Sequence, residues 1–210
     1  MSKGLFITFE GPDGSGKTTQ IQELKKYLKK NGYDAIITRE PGGTPIGEKI
    51  RKIILDKENQ EMDSITEALL YAASRAQHVS QLIRPALNKG YTVICDRFMD
   101  SSIAYQGYGR KLGDSVRIIN EIAVGDCLPD VTFLLKIDPH IGKSRIKMEN
   151  LDRLELEAME YHNEVYKGYM ELVKKDPERI ICIDAGGSIE DIKTEICSHM
   201  EKLLRKQITE

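Results

Sequence analysis

The chain has 210 residues, of which 40% are hydrophobic and 30% charged, and its formal net charge is −2 at pH 7. This length predicts a single domain over 1–210 that buries about 70% of its unfolded surface, so the core needs no disulfide or metal. The near-neutral charge argues against a broad nucleic-acid or anionic-membrane surface. No apolar run reaches transmembrane length, and we expect a cytoplasmic protein without nucleic acid or membrane partners.

The four cysteines do not lie at the spacing of metal ligands. Cys95 and Cys182 fall inside apolar strand patterns, where a reduced thiol packs as a small hydrophobic group. The four histidines are scattered along the chain. We therefore expect no structural zinc site.

The first predicted strand, residues 4–9, runs into a glycine-rich loop and then a helix to about Lys30. This setting favours a phosphate-binding loop of the pattern G-x-x-x-x-G-K-S/T over a glycine-rich surface turn. Glycines let backbone N–H groups converge on phosphate oxygens, and the helix adds the positive end of its dipole. Lys17 would bridge the β- and γ-phosphates, and Thr18 would bind Mg²⁺. The predicted triphosphate-binding residues are Gly11, Pro12, Asp13, Gly14, Ser15, Gly16, Lys17 and Thr18.

A second strand is predicted over 35–38, followed by a turn at 40–43 and a helix with Thr44 as its N-cap. The residues 64–67 form a capping box, which predicts a long helix to about Asn88. Tyr71 and Arg75 share a face of that helix. Together they could stack a base and bond its edge, or Tyr71 could be a core residue and Arg75 a solvated one.

The third predicted strand, residues 91–95, ends in Asp96 and Arg97. An acidic residue in this place suits Mg²⁺ coordination, and the arginine would contact the same phosphates; the alternative is a surface ion pair. Residues 98–113 are predicted to form a polar connection, in which the Gln106 amide could read a base edge or simply lie in a polar loop. Asp114 is predicted to cap a helix to about Val124.

The last part of the chain predicts a fourth strand over 131–137, a helix over 141–148, a break at 149–152 and a helix over 155–174. A fifth strand over 179–183 and a helix from 189 to about 205 follow. Basic residues flank the break, and such a segment could close over phosphates and exclude water. The alternative is a charged helix surface. These residues are Arg145, Lys147 and Arg153.

Short apolar strands thus alternate with helices from end to end, which predicts an α/β fold with a five-stranded parallel sheet and helices on both faces. Together with the phosphate-binding loop, this is the three-layer P-loop NTPase fold. Each strand is followed by polar residues, and ligands of open parallel sheets bind at the carboxyl ends of the strands.

Six segments in family order resemble the bacterial thymidylate kinases within the P-loop nucleoside monophosphate kinases. The segments are FEGPDGSGKT at 9–18, TREPGGT at 38–44, AASR at 72–75, DRF at 96–98, SSIAYQG at 101–107 and LDRLE at 151–155. The first is shared by many NTPases, whereas REPGGT and DRF with AYQG are far more specific.

The resemblance implies transfer of the γ-phosphoryl group of ATP to dTMP, with Mg²⁺, in dTTP synthesis. It implies that Arg97 and Arg51 hold the acceptor phosphate, that Tyr71 stacks on thymine, and that Arg75 and Gln106 bond the base edge. Asp13 would approach the sugar 3′-hydroxyl and Tyr105 would crowd the 2′ position. The implied dTMP-binding residues are Asp13, Glu40, Arg51, Tyr71, Arg75, Arg97, Ser102, Tyr105 and Gln106, and the implied Mg²⁺ ligands are Thr18 and Asp96.

The chain departs from the family pattern at Gly14 and Ser15, where some members carry an arginine. It resembles the members whose lid supplies the catalytic charge, here a short lid at about 145–155. The implied catalytic residues are Lys17, Arg97, Arg145, Lys147 and Arg153. A second departure is Phe98, where the family often has tyrosine.

The resemblance also implies a homodimer, for which the helices at 64–88 and 114–124 are the candidate interface. Two alternatives remain open for the function: a different nucleoside or nucleoside monophosphate kinase of the same fold, or a nucleotide-dependent regulatory switch. A switch would not require the second basic and aromatic set around Tyr71 and Arg97.

Overall fold

The computed structural model describes residues 4–145 and 152–209, and its centre is a sheet of five parallel strands in the order β2-β3-β1-β4-β5. The strands are β1 (Phe6–Glu10), β2 (Ala35–Arg39), β3 (Thr92–Asp96), β4 (Val131–Lys136) and β5 (Ile180–Asp184). The predicted fold class is confirmed. Four strands, β1, β2, β3 and β5, include the polar residue that was expected to follow them, because the ladder continues through pairs such as Arg39 with Asp96 and Glu10 with Leu134. β4 ends at Lys136, and Asp138 instead caps the helix Pro139–Ser144.

Helices connect the strands and cover both faces of the sheet. They are α1 (Lys17–Lys30), α2 (Pro45–Leu55), α3 (Ser64–His78), α4 (Arg84–Asn88), α5 (Met99–Ser102), α6 (Asp114–Val124), α7 (Pro139–Ser144), α8 (Met159–Lys175) and α9 (Ile189–Thr209). No helix in the described part of the chain is long and apolar enough to cross a bilayer.

The predicted long helix to Asn88 is continuous but widens between α3 and α4 into a π-helical stretch, Val79–Ile83. There the Arg84 N–H bonds to the Val79 carbonyl, five residues back. Pro85 lies just beyond, and proline has no N–H and its ring collides with the carbonyl four residues earlier in a regular α-helix. The widened turn accommodates it without ending the helix.

Two predicted caps are wrong. The N-cap of α3 is Asp63, whose Oδ1 accepts from the Ile65 N–H at 2.9 Å, and Ser64 is already helical. Glu67 cannot complete a capping box because its carboxylate is turned into the core. Asp114 is the first residue of α6, after Gly113, and adds negative charge to the first turn rather than capping it.

The predicted polar connection at 98–113 is also wrong, because α5 continues into a second π-helical stretch, Ile103–Gly109. Packing against α8 explains this structure better than local propensity does. A Cβ on Gly109 would lie 2.6 Å from the Tyr161 ring, and a Cβ on Gly168 would lie 2.8 Å from the Tyr108 ring. The two elements therefore interlock through paired glycine–tyrosine contacts, which residues 98–113 alone do not reveal.

The core lies on both faces of the sheet because alternate residues of β1 point to opposite sides. Ile7 and Phe9 pack with α1 and α9 on one face. Phe6 packs with Cys95 and the α3–α4 helix on the other. A third cluster joins Tyr105 to α8.

The strand register brings the carboxyl ends of three neighbouring strands together. Asp96 of β3 is aligned with Phe9 of β1 on one side and with Arg39 of β2 on the other. The Glu40 N–H bonds to the Asp96 carbonyl at 2.9 Å, and the Arg97 N–H bonds to the Phe9 carbonyl at 2.9 Å. The segments that follow β1, β2 and β3 therefore leave the sheet side by side.

Candidate active site

The loop between β1 and α1 has the backbone that a phosphate-binding loop requires. Gly11, Gly14 and Gly16 all adopt positive φ, at 134°, 75° and 90°, which residues with a Cβ rarely adopt. A Cβ on Gly14 would also lie 2.1 Å from the Gly142 carbonyl oxygen of α7. This close approach excludes a side chain at position 14, so an arginine cannot supply catalytic charge from there.

Lys17 lies buried over this loop, where its Nζ donates to the carbonyls of Gly11 at 3.0 Å and Pro12 at 2.9 Å. Burial, and next the charge of Arg97, lower the pKa of Lys17 to about 8, against the opposing effect of Asp13. The ammonium group is therefore protonated at neutral pH and is aimed at the loop.

Arg97 is held in an uncommon backbone conformation, with φ of 69°. Its Nη2 donates to Asp13 Oδ1 at 2.5 Å, and its guanidinium lies 5.0 Å from the centre of the Tyr105 ring. Burial acts to raise the pKa of Asp13, but Arg97 and then Lys17 outweigh it and hold that pKa at about 2. Asp13 is thus a carboxylate that fixes Arg97.

Thr18 and Asp96 lie together at the start of α1 and the end of β3, with Thr18 Oγ1 3.5 Å from Asp96 Oδ2. A hydroxyl and a carboxylate are oxygen donors of the kind that Mg²⁺ prefers. No group of three or more His, Cys, Asp or Glu in the described residues could hold a metal. A metal here would therefore need most of its ligands from water and nucleotide phosphates, as is usual for Mg²⁺ in kinases.

Two clefts open at this edge of the sheet. The first, which we call the loop cleft, is lined by the phosphate-binding loop, the start of α1, Arg39, Asp96 and Arg145. The second, the aromatic cleft, is lined by Tyr71, Arg75, Ser102, Tyr105, Gln106 and neighbouring residues. Both clefts share Asp13, Glu40, Arg51 and Arg97, so these side chains form the junction between them.

Arg75 is 1% exposed and is the centre of a buried network at the wall of the aromatic cleft. Nε donates to Glu40 at 2.7 Å, Nη1 to Ser102 at 3.1 Å and to Asn120, and Nη2 to the Phe98 carbonyl at 3.0 Å. Arginine has five N–H donors, so one N–H on Nη2 remains for a ligand within the part of the chain that the structure describes.

Glu40 lines both clefts, and both of its carboxylate oxygens are bonded to neighbouring side chains. Its Oε2 accepts from Arg75, and its Oε1 accepts from His78 Nδ1 at 2.9 Å. The other ring nitrogen of His78 bonds to Thr38 Oγ1 at 2.7 Å. Glu40 thus orients Arg75, and a direct contact between Glu40 and a ligand stays a prediction.

Gln106 is 1% exposed, and Glu67 determines which way its amide points. Its Nε2 donates to Glu67 Oε1 at 2.8 Å, while its Oε1 has no hydrogen-bond partner among the described residues. An unsatisfied buried acceptor is costly. The oxygen lies on a residue that lines the aromatic cleft, where a ligand donor could satisfy it.

The remaining residues that were predicted to bind dTMP also line the aromatic cleft. Tyr71 is half-buried there, and burial raises its pKa, so that its hydroxyl stays neutral. Tyr105 Oη lies 3.4 Å from Asp13 Oδ2. Arg51 reaches the junction from α2 and donates to the Pro41 carbonyl at 2.9 Å; burial and the nearby charge of Arg39 lower its pKa.

The three predicted lid cations have different positions. Arg145 lines the loop cleft, with Nη1 3.5 Å from the Gly14 carbonyl. Lys147 lies outside the described residues. Arg153 is buried away from the loop cleft, where it donates to Glu67 at 2.5 Å and to the Ile54 carbonyl at 2.9 Å. A catalytic role for Arg153 does not fit this placement, because its guanidinium is held in a buried ion pair with Glu67, which also pairs with Arg110.

Residues to which the sequence motifs assigned no role in binding or catalysis also belong to the site. Asp152 and Glu155 line the aromatic cleft. Glu10, Ser101 and Tyr169 lie behind Arg97 and are bonded to one another. Glu10 lies in the FEGPDGSGKT segment but has no role there beyond ending the strand, and Tyr169 lies in none of the motif segments, because it comes from α8, 159 residues beyond Glu10.

A phosphate-binding cleft that shares two arginines and two carboxylates with a second, aromatic cleft defines a P-loop phosphotransferase that binds two substrates side by side. The comparisons with known proteins make this class more specific. A family model described as thymidylate kinase matches residues 9–196. The chain belongs to the thymidylate kinase family, as its motifs indicate, and is an enzyme of the nucleoside monophosphate kinase class.

Relatives match over almost their whole length. A thymidylate kinase from Finegoldia magna is 51% identical over 206 residues, covering 97% of this chain and 100% of that protein. One from Clostridium novyi is 50% identical over 200 residues, covering 93% and 98%. The crystal structure of thymidylate kinase from Ehrlichia chaffeensis is similar with a TM-score of 0.79 at 35% identity, covering 95% of this chain and 99% of that one.

Proposed function

We propose that this protein transfers the γ-phosphoryl group of ATP to dTMP, giving dTDP and ADP. The observation that carries this proposal is the pair of groups at the wall of the aromatic cleft: the unsatisfied Gln106 Oε1 and the remaining N–H of Arg75. One is an acceptor and the other a donor. Thymine presents the complementary pair on one edge, a donating N3–H beside the accepting O4.

The same pair selects against cytosine, which presents an acceptor at N3 and a donor at N4. Cytosine would place donor against donor at Arg75 and leave Gln106 Oε1 unsatisfied, which costs about 1–3 kcal/mol for each buried group. Tyr71 supplies an aromatic face for the base. Asp13 would meet the sugar 3′-hydroxyl and Tyr105 would crowd a 2′-hydroxyl.

The reaction requires no covalent intermediate with the protein. An oxygen of the acceptor phosphate, already an anion, bonds to the γ-phosphorus while the bond to the bridging β,γ-oxygen breaks and ADP leaves. Lys17 holds the donor phosphates, and Arg97 and Arg51 at the junction hold the acceptor phosphate. Arg145 adds positive charge on the far side of the loop cleft.

Thr18 and Asp96 would hold Mg²⁺ with the nucleotide. When bound, the ion neutralises charge on the β- and γ-phosphate oxygens. The residues of this chain contribute by aligning the two substrates. Because binding has already removed the translational freedom of the substrates, the chemical step no longer carries that entropic cost.

The test is to offer dTMP, dUMP, UMP, CMP and thymidine separately with ATP and Mg²⁺ and to measure ADP release. We expect dTMP to be the best acceptor, with dUMP next because it has the same base edge without the methyl group. Highest activity with CMP or thymidine would contradict the proposal. Slow ADP release that no acceptor stimulates would indicate a regulatory switch.

We also propose that the protein is a homodimer joined through α3 and α6. Leu69 of α3 is 51% exposed, and Ile118 and Ile122 of α6 are 51% and 81% exposed, on the predicted interface helices. Such apolar groups on neighbouring helices favour association with a second copy. Sedimentation should show a dimer for the wild type and a monomer for Ile122→Glu, while Ile189→Glu, at an exposed site on α9, stays dimeric. A monomeric wild type would contradict this proposal.

A cytoplasmic location is the last part of the proposal. Cys95, Cys182 and Cys197 form no disulfide in the structure, which suits a reducing compartment. Fractionation of cells that produce the protein would test this, and recovery of the protein outside the cytoplasm would contradict it.

A further inference from the structure

Glu10 ends β1 immediately before the phosphate-binding loop and is 0% exposed. A buried carboxyl group is costly unless hydrogen bonds or charges compensate it. In the reaction described above, Glu10 contacts neither substrate. Its two oxygens instead make separate sets of contacts, and both sets lead to Arg97.

The first oxygen holds the backbone next to Arg97. Glu10 Oε1 accepts from the Phe98 N–H at 2.7 Å. On the other side, the Arg97 N–H is bonded to the Phe9 carbonyl at 2.9 Å. Arg97 has a positive φ of 69°, a conformation that costs a residue with a Cβ about 1 kcal/mol or more and persists only when neighbours hold it. The two bonds fix the backbone of Arg97 from both ends.

The second oxygen reaches the side chain of Arg97 through two hydroxyl groups. Glu10 Oε2 accepts from Ser101 Oγ and, at 3.2 Å, from Tyr169 Oη. Arg97 Nη1 donates to the same hydroxyls, at 3.1 Å to Ser101 and 3.3 Å to Tyr169. The guanidinium is thus held between Asp13 at Nη2 and the hydroxyl pair at Nη1.

We propose that Glu10 is a positioning residue for Arg97, which it holds through the Phe98 N–H and through the hydroxyls of Ser101 and Tyr169, so that the guanidinium meets the acceptor phosphate in one orientation. The inference rests on the proposed function, in which Arg97 binds that phosphate. A group that orients the residue in contact with the substrate typically contributes about 10- to 100-fold to activity.

The charges around Glu10 agree with a positioning role rather than a stabilising one. Burial, and next the nearby carboxylate of Asp100, raise the pKa of Glu10 to about 7, against the opposing effects of the Ser101 bond, Arg97 and Phe98. The direct partners of Asp100 are Arg179 and Thr132. Removing the charge of Glu10 should therefore leave the fold at least as stable while it loosens Arg97.

The first test is Glu10→Gln, which keeps an acceptor for the Phe98 N–H but removes the negative charge. We expect the thermal midpoint to stay or rise and kcat/KM for dTMP to fall about 10- to 100-fold, with KM for ATP within about twofold. Tyr169→Phe, which keeps the ring and removes one hydroxyl, should give a smaller loss of the same kind. Unchanged kinetics in Glu10→Gln, or a parallel loss of stability and activity, would overturn the proposal.

The decisive test is a double-mutant cycle with Arg97→Ala, read as the Kd for dTMP by calorimetry, which needs no turnover. In the Arg97→Ala protein, Glu10→Gln should change the Kd by less than about twofold, because there is no guanidinium left to orient. Glu164→Gln is the control: it removes a surface carboxylate of α8 that pairs with Lys167, and it should leave the Kd for dTMP unchanged with either residue at position 97.

Additive effects of Glu10→Gln and Arg97→Ala would overturn the role of Glu10 and leave the proposed function standing. If the wild type did not accept dTMP, the proposed function would fail instead. The cycle would then be run with the nucleotide that the wild type accepts, and the same two outcomes would decide the role of Glu10.

Discussion

The two clefts hold their buried cations in opposite ways. In the loop cleft, Lys17 donates to two backbone carbonyls, and the Asp13 carboxylate lies 4.0 Å from its Nζ. In the aromatic cleft, Arg75 is paired with Glu40 at 2.7 Å and donates to three further oxygens. Lys17, the cation proposed for phosphoryl transfer, therefore keeps its charge available to a ligand. Arg75, the cation proposed for base recognition, is neutralised and fixed, with one N–H left for a ligand.

This difference agrees with the two roles proposed for the clefts, phosphoryl transfer in the loop cleft and recognition of the acceptor base in the aromatic cleft. Phosphoryl transfer needs positive charge close to the phosphate oxygens on which negative charge develops in the transition state. Recognition needs a donor and an acceptor whose directions do not change, so that a wrong base leaves buried groups without partners. Substitutions in the loop cleft should therefore affect kcat, and substitutions in the aromatic cleft should affect binding of the acceptor.

The largest effect is expected for Lys17→Ala, which should lower kcat by about 10³-fold or more because no other group replaces a cation on the transferring phosphoryl. The fold should persist, since burial disfavours the charge of Lys17. Initial rates of dTDP formation and a thermal melt check both parts. Lys26→Ala, an exposed lysine paired with Glu23, is the control, and near-normal turnover by Lys17→Ala would contradict the assignment.

Gln106→Met keeps the length of the side chain and removes the acceptor oxygen together with the Nε2 donor to Glu67. Glu67 keeps its ion pairs with Arg110 and Arg153. Without the acceptor oxygen of Gln106, the N3–H of thymine loses its proposed hydrogen-bond acceptor. KM for dTMP should therefore rise about 10- to 100-fold, and KM for ATP should change less than about twofold. Gln77→Met, on the exposed side of α3 where Gln77 bonds to Gln81 at 2.9 Å, should change neither value. Equal effects of Gln106→Met on both substrates would refute a base-reading role.

Arg145 and Arg153, two of the predicted lid cations, should have different effects when they are replaced by alanine. Arg145→Ala should lower kcat about 10-fold at unchanged stability, because Arg145 lies at the loop cleft. Arg153→Ala should lower the free energy of unfolding by about 3 kcal/mol, because Glu67 loses a buried ion pair. Chemical denaturation and steady-state rates of both variants check this. A stable Arg153→Ala protein with a severe kcat defect would restore Arg153 to the catalytic residues.

The last prediction compares how the stability of the wild type and of Glu10→Gln changes with pH. The pKa of Glu10 is raised from 4.5 to about 7 in the folded protein, so between these values the folded state binds more protons than the unfolded state. Stability should therefore fall as pH rises from about 4.5 to 7, by up to about 3 kcal/mol from this group. Denaturant titrations at several pH values should show a shallower fall for Glu10→Gln. Identical slopes for the two proteins would contradict a raised pKa.

The sequence predicts the parts of this molecule whose cause is local. Apolar strands, the loop around Gly11–Lys17 and the Thr44 cap depend on neighbours within a few residues, and the structure confirms them. The helical course of residues 99–109 depends on α8, more than 50 residues away, and local sequence does not predict it. Arg153 was assigned to the lid because the partner that buries it, Glu67, is 86 residues away.

The residues of the candidate site can be divided by the same criterion, since some of their positions follow from local sequence and others do not. Lys17, Thr18 and Asp96 follow from motif and strand order, and the register brings them together as expected. The arrangement behind Arg97 does not follow, because Glu10, Ser101 and Tyr169 come from three distant elements and their hydroxyl and carboxyl groups meet only in the folded chain.

Gln106 and Arg75 are proposed to direct phosphoryl transfer to the 5′-phosphate of the nucleotide that carries thymine. The most direct measurement is a competition in which the protein receives ATP labelled in the γ-phosphate together with equal concentrations of dTMP and dCMP. We expect nearly all of the transferred label to appear in dTDP with the wild-type protein. Label shared evenly between dTDP and dCDP, or found mainly in dCDP, would contradict this proposal.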